Sequence, residues 1–361
     1  MPQLRDITLE DIESLAVGAW ILGTGGGGSP YLALLNMRQL YAEGFKVQLM
    51  QPEDLADDDW VAAVSNMGAP LVGQERLTDS RTIARAVALM EEHTGYRFRG
   101  IMALEIGGGN SIQPLMAAAR LGRPVVDADM MGRAYPEAQM TSVAVGGLTP
   151  YPLSTVDCRG LESVVHKVPT WKWMERVSRK ICTEYGSTAS TCKAPRTGAE
   201  VKEWGIRGTT TKSIKIGHAV REAQRRHEDP IAAILSVEPG KILYRGKVID
   251  VERRATEGFL RGRTRFDGVD DWRGATMELN FQNEWIVAWL DGQPIAMSPD
   301  LICVLDSVSG EAVGTETIRY GQRVTVIALP PPPVFLSEAG LAYVGPRAFN
   351  YDIDFKSVFA S

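Results

Sequence analysis

The chain has 361 residues, of which 44% are hydrophobic and 23% charged, with a formal net charge of -5. That length exceeds one ordinary core and implies two domains, and the globular mix excludes a disordered or fibrous chain. The mild acidity argues against general nucleic-acid binding, which needs a basic face, and no stretch reaches the roughly 20 apolar residues that span a bilayer.

Thr8 is a predicted N-cap for a helix over about Leu9–Val17, with Asp11 and Glu13 in its early turns. After Ile21-Leu22 comes the turn Gly23-Thr24-Gly25-Gly26-Gly27-Gly28-Ser29-Pro30. Tyr31–Ala42 follows with apolar residues at helical spacing, and Pro30 stands where that helix starts. Lys46–Met50 reads as a strand. Trp60–Ser65 is a buried strand leading into Asn66-Met67-Gly68-Ala69-Pro70. Asp79 or Ser80 caps a helix to about Glu92. The apolar run Gly100–Ile106 contains Glu105 near its end, and Gly107-Gly108-Gly109-Asn110 and a helix to Leu121 come next. Pro124–Asp129 is the next strand. Strands alternating with helices imply an α/β domain with a mostly parallel sheet, assigned to residues 1–155.

The segment 151–238 reads as helical over Pro169–Tyr185 and Thr211–Val237, with a polar stretch, Gly186–Thr191, between them. From Gly240 the chain is β-rich, giving an α+β C-terminal domain over residues 156–361. Thr276–Trp289 reads as one strand interrupted by Phe281-Gln282-Asn283-Glu284. Asp291-Gly292 and Ser309-Gly310 read as hairpin turns. Pro330–Pro333 is a stiff spacer before the last segment.

In a parallel sheet, loops after the carboxyl ends of strands gather at one edge, where ligands bind. Four loops are expected there: Gly23–Pro30, Asn66–Pro70, Glu105–Asn110 and Asp127–Glu137. Four consecutive glycines, Gly25, Gly26, Gly27 and Gly28, cost backbone entropy, so a geometric demand is expected, and their N–H groups suit an anion. The run fits G-x-G-x-x-G by counting alone and lacks the G-K-[ST] of a phosphate loop. Asp127-Ala128-Asp129, two apart on a strand, are placed on one face, where they suit a metal or a general base. Arg133 lies beside them. Four histidines with no close spacing leave a metal site to be assembled from distant positions, with His218 the histidine candidate. The four cysteines form no C-x-x-C pair and read as reduced thiols. There is no G-x-S-x-G elbow. The N-terminal residues carry no apolar signal core. A soluble, cytoplasmic, unprocessed protein is expected.

Taken in order, Gly23–Pro30, Asn66–Pro70, Glu105-Ile106-Gly107-Gly108, Asp127–Glu137, Phe281–Glu284, Pro299-Asp300-Leu301-Ile302 and Gly345-Pro346-Arg347-Ala348-Phe349 resemble the S-methyl thiohydantoin desulfurase family over nearly the whole chain. The resemblance implies an N-terminal α/β domain, a β-rich C-terminal domain and a hydrolase. That activity removes a thiol from the thiolimidate of a five-membered hydantoin-type ring. It also implies zinc.

The expected function is therefore metal-assisted hydrolysis of a small cyclic amide-like substrate. Glu105, Asp127 and Asp129 are the catalytic candidates, and Asp127, Asp129 and His218 the metal candidates. Gly25–Gly28, Asn66, Arg133, Asn283, Glu284 and Arg347 are the substrate-binding candidates, the glycine N–H groups as an oxyanion hole and the arginines as carboxylate clamps. The alternatives are a nucleotide- or cofactor-binding enzyme, or a non-catalytic partner of a hydantoinase or oxoprolinase. The expected partner is a small molecule, with no nucleic acid or membrane, and the chain is a candidate homo-oligomer.

Overall fold

A computed structural model describes residues 3–68, 72, 79–256 and 258–360. Thr8 caps the first helix reciprocally: its Oγ1 accepts from Asp11 N at 3.0 Å, and the Asp11 carboxylate accepts from Thr8 N at 2.9 Å. That helix, α1 (Leu9–Leu22), is longer than its periodicity predicts and runs straight into the glycine turn. The second helix, α2 (Tyr31–Ala42), begins after Pro30 as expected.

The first sheet has eight strands. They are β1 (Arg5–Ile7), β2 (Val47–Met50), β3 (Trp60–Gly68), β4 (Phe98–Ala103), β5 (Val125–Val126), β7 (Leu153–Val156), β8 (Glu162–Val165) and β9 (Thr188–Thr197), in spatial order β1-β2-β5-β4-β3-β9-β7-β8. The central four, β2, β5, β4 and β3, are parallel. The flanking strands pair antiparallel. The short β6 (Ala128–Asp129) pairs instead with β10 (Ile206–Arg207).

Two readings of the middle segment change. The polar stretch expected between helices opens β9, which pairs with β3 from Trp60 to Gly68. Two of its hydroxyls are satisfied against β3: Thr191 Oγ1 donates to Ser65 O at 2.9 Å and Ser190 Oγ to Asn66 Oδ1 at 3.1 Å, so polarity here does not signal a loop. The single helix expected over Thr211–Val237 is two. Thr209–Arg226 stops at His227, whose φ is 56°, and Asp229 caps Pro230–Val237. The helix Thr209–Arg226 packs tightly on α1, because Gly217 leaves no room for a Cβ against Ser14 O.

The second sheet has seven strands, all pairings antiparallel, in order β15-β14-β13-β12-β11-β17-β16. They are β11 (Lys241–Thr256), β12 (Phe259–Gly268), β13 (Thr276–Gln282), β14 (Glu284–Leu290), β15 (Gln293–Met297), β16 (Leu301–Asp306) and β17 (Arg323–Leu329). Asp291-Gly292 forms the β14–β15 hairpin as expected, with both φ angles positive. Phe281–Glu284 does not merely interrupt a strand. Asn283, at φ 58°, reverses the chain and makes two strands of it. The proline run is no free spacer either. The residues after it fold back, and Phe335, fully buried, packs edge-on against Tyr135 with ring centroids 5.4 Å apart.

Candidate active site

The glycine turn joins two helices, so it is not the strand–turn–helix of a dinucleotide site. Its glycines are required by contacts on three sides. A Cβ on Gly25 would meet Trp285 Nε1 at 2.5 Å, one on Gly26 would overlap the Glu284 carboxylate, and one on Gly27 would overlap Gly107 O. Backbone bonds fix the turn in place. Trp285 N donates to Thr24 O at 2.8 Å, Thr315 N to Gly25 O at 2.9 Å, and Gly109 N to Gly28 O at 2.9 Å. The turn therefore sits between the Gly107–Gly109 loop of the first domain and the β13–β14 reversal of the second. The N–H groups of Gly27 and Gly28 donate to no acceptor among the described residues, and both residues line a cavity of about 480 Å³.

That cavity draws on every loop expected at the sheet edge, through Asn66, Glu105, Asn110 and Tyr135–Ala138, together with Asn283 and Glu284 from the second domain. Ala69 and Pro70 lie outside the described residues. Glu105 is 7% exposed. Asn110 Nδ2 donates to its Oε1 in a short bond, and Tyr135 N donates to its Oε2 at 3.2 Å. Asn110 Oδ1 accepts from Asn66 N at 2.8 Å, and Asn66 Oδ1 accepts from Ser190 Oγ at 3.1 Å. This chain of amides holds one face of Glu105. Burial pushes its carboxyl up to about 7, against the pull of those donors, of Lys193 and of Arg133. Glu284, 2% exposed, is driven well above the ordinary carboxyl range, first by burial and then by the charge of Glu105. Its Oε2 has no hydrogen-bond partner among the described residues. Asn283 positions it: Asn283 N donates to Leu260 O at 2.7 Å and Asn283 Oδ1 accepts from Leu260 N at 2.8 Å, which pins the reversal to β12.

The side chains of five expected site residues lie outside the cavity. Asp127 is buried away from the cavity, with its carboxylate accepting from Thr211 N at 3.1 Å and from the Thr211 hydroxyl. It caps the start of the helix Thr209–Arg226. Asp129 Oδ2 accepts from the N–H groups of Ile106, Met131 and Gly132 at 2.8, 3.1 and 2.8 Å, so it ties two loops together. Burial lifts its carboxyl to about 7 against those three donors. The two aspartates do not share a face, because the strand breaks between β5 and β6 and turns them to different partners. His218 is exposed on the helix Thr209–Arg226. Arg133, fully buried, clamps the domains rather than a ligand: it donates to Thr24 Oγ1 at 2.5 Å, Asp300 O at 3.1 Å and Trp285 O at 3.4 Å. Arg347 is exposed and paired with Asp352 at 2.9 Å and Asp354 at 3.0 Å. Asp127, Asp129 and His218 thus do not fit a shared metal, and no group of three or more metal-ligating side chains is assembled among the described residues.

Lys193 is a cavity residue outside the set expected from the sequence. It lies in β9 opposite Ala63, is 6% exposed, and lines the cavity. Burial lowers its ammonium pKa, and Glu175 and Glu105 pull it back up. The available signal is a lysine inside Ala189–Pro195, a run otherwise of small and apolar residues, whose start is expected as a polar stretch between helices.

A two-domain α/β and antiparallel-β protein, with paired buried carboxylates in a cavity between the domains, is the class that this geometry defines. Residues 10–167 match the family model described as S-Me-THD-like, N-terminal domain, and residues 169–358 match S-Me-THD-like, C-terminal domain. The chain belongs to the S-Me-THD-like family. No curated protein matches it. The crystal structure of a protein from Chromobacterium violaceum shares its fold, with a TM-score of 0.81 at 23% identity over 98% of this chain and 100% of that one. No described helix is long and apolar enough to cross a membrane.

Proposed function

We propose that this chain hydrolyses the C–S bond of a thiolimidate in a small cyclic amide, of the S-methyl thiohydantoin type. The observation that carries this reading is the pair Glu105 and Glu284: two buried carboxyls on one cavity, of which only one can readily ionise near neutral pH. Glu105, ionised, takes a proton from water as the oxygen adds to the C=N carbon. Neutral Glu284 gives its proton to the ring nitrogen, which receives the C=N electron pair. The tetrahedral carbon then returns its hydroxyl proton to Glu284 as C=O forms and the C–S bond breaks. The departing sulfur takes the proton held by Glu105, so methanethiol and a hydantoin leave and both carboxyls are restored. The free N–H groups of Gly27 and Gly28 suit the charge that develops on the ring. Membership of the S-Me-THD-like family supports the same substrate class.

The test is incubation of the purified protein with S-methyl thiohydantoins bearing hydrogen, alkyl, aryl or carboxymethyl groups at the ring carbon. Equimolar release of methanethiol and hydantoin from at least one is expected. A folded protein that releases no thiol from any of them overturns the reading.

A further inference from the structure

We infer that Lys193 is an anion-binding group for the substrate, so that the preferred ring carries a carboxylate on its side chain. Two cations line the cavity among the described residues, Arg179 and Lys193. Arg179 is spent: its guanidinium donates to Glu175 Oε1 at 2.5 Å, to Pro136 O at 3.1 Å and to Gly258 O at 3.4 Å, and it lies 4.4 Å over the Phe259 ring. Lys193 has no hydrogen bond and no ion pair among the described residues, although it is more than nine-tenths buried. A buried ammonium left without a partner is costly, and a ligand carboxylate at that end of the cavity removes the cost.

The acids of the cavity do not serve instead. Glu175 is held by Arg179 and by Ala138 N at 3.0 Å, and Asp157 by Arg159 at 2.6 Å. Glu105 is engaged by Asn110 and Tyr135 and acts on Lys193 only through its charge, without a hydrogen bond among the described residues. Glu105 and Glu284 take the ring, and Lys193, on β9, takes the substituent. The inference rests on the hydrolytic reading for the ring but not for the charge.

Calorimetric binding of two product-like rings to the full chain tests it: hydantoin with a 5-carboxymethyl group, and its neutral carbamoylmethyl counterpart. The acid is expected to bind at least about 10-fold more tightly, as a charge-assisted hydrogen bond warrants. In Lys193→Met that preference disappears while the amide binds as before. Equal affinities in the wild-type protein, tighter binding of the amide, or binding of neither overturns the inference whether or not the variant folds. The two ideas separate cleanly. Thiol release from neutral rings without a carboxylate preference leaves hydrolysis standing and removes the role of Lys193. A carboxylate preference without thiol release from any S-methyl ring does the reverse.

Discussion

Asp127 and Asp129 form the more conspicuous acidic motif, and Glu105 and Glu284, 179 positions apart in the chain, look unrelated. The structure inverts that ranking. The aspartates are buried, Asp127 held by Thr211 and Asp129 Oδ2 by the N–H groups of three loop residues, and neither lines the cavity; Asp129 Oδ1 has no partner among the described residues but lies outside it. The glutamates both line it, and Glu284 keeps an oxygen that no described residue satisfies. Spacing along a strand therefore says less about chemistry than whether a carboxylate reaches the cavity. One pair holds the backbone in place; the other lines the cavity.

The largest expected contrast is kinetic. Glu105→Gln is expected to lower kcat for thiol release by about 100- to 10,000-fold, the range of a lost general base, while circular dichroism stays native. Asp129→Ala breaks the comparison from the other side. Removing one acceptor from three N–H groups is expected to cost about 2–4 kcal/mol in urea unfolding, with the kcat of the folded fraction little changed. An Asp129→Ala protein of full stability and no activity would return the aspartate to the chemistry.

The pH dependence sharpens the same point. The Glu105 carboxyl at about 7 in the native state stands above its ordinary value of 4.5, so between those values the folded chain keeps a proton that the unfolded chain has lost. Stability from this group is fully present below about 4.5 and falls as pH rises to about 7, by about 3 kcal/mol in all. Glu105→Gln should flatten that part of the stability profile and so gain stability at pH 8 while losing activity. In turnover, kcat/KM is expected to rise with pH through about 7, because the base must be ionised. Lys193→Met should move this limb to higher pH, since the ammonium helps to hold Glu105 as a carboxylate. An unmoved limb would separate the two residues.

Smaller effects distinguish positions within the glycine turn. Gly26→Ala drives a methyl group into Glu284 and should depress kcat, whereas Gly28→Ala meets no atom within 4 Å and carries only the strain of its φ of 74°. That strain is about 1–2 kcal/mol. Least of all, Arg347→Ala and His218→Ala, both on the surface, should shift stability by under about 0.5 kcal/mol and leave KM unchanged. A raised KM for Arg347→Ala would bring that arginine back to the substrate.

Much of the fold was legible because it is local. Thr8 caps α1, Pro30 opens α2, Asp79 caps Ser80–Thr94, and Asp291-Gly292 makes a tight hairpin. These follow from backbone conformation and short-range hydrogen bonds, which neighbouring residues dictate. The glycine run likewise announced a geometric demand by itself. The sequence could not announce the source of that demand: Trp285 and Glu284 from the second domain and Gly107 from a neighbouring loop press on it. Asn283 reversing the chain, Arg133 spending its donors across the domain boundary, and Lys193 reaching the cavity from a polar strand are decided only by partners distant in the chain. Local chemistry determined which residues turn, cap and alternate. Tertiary packing decided which buried charges reach the cavity, and hence which are left to act.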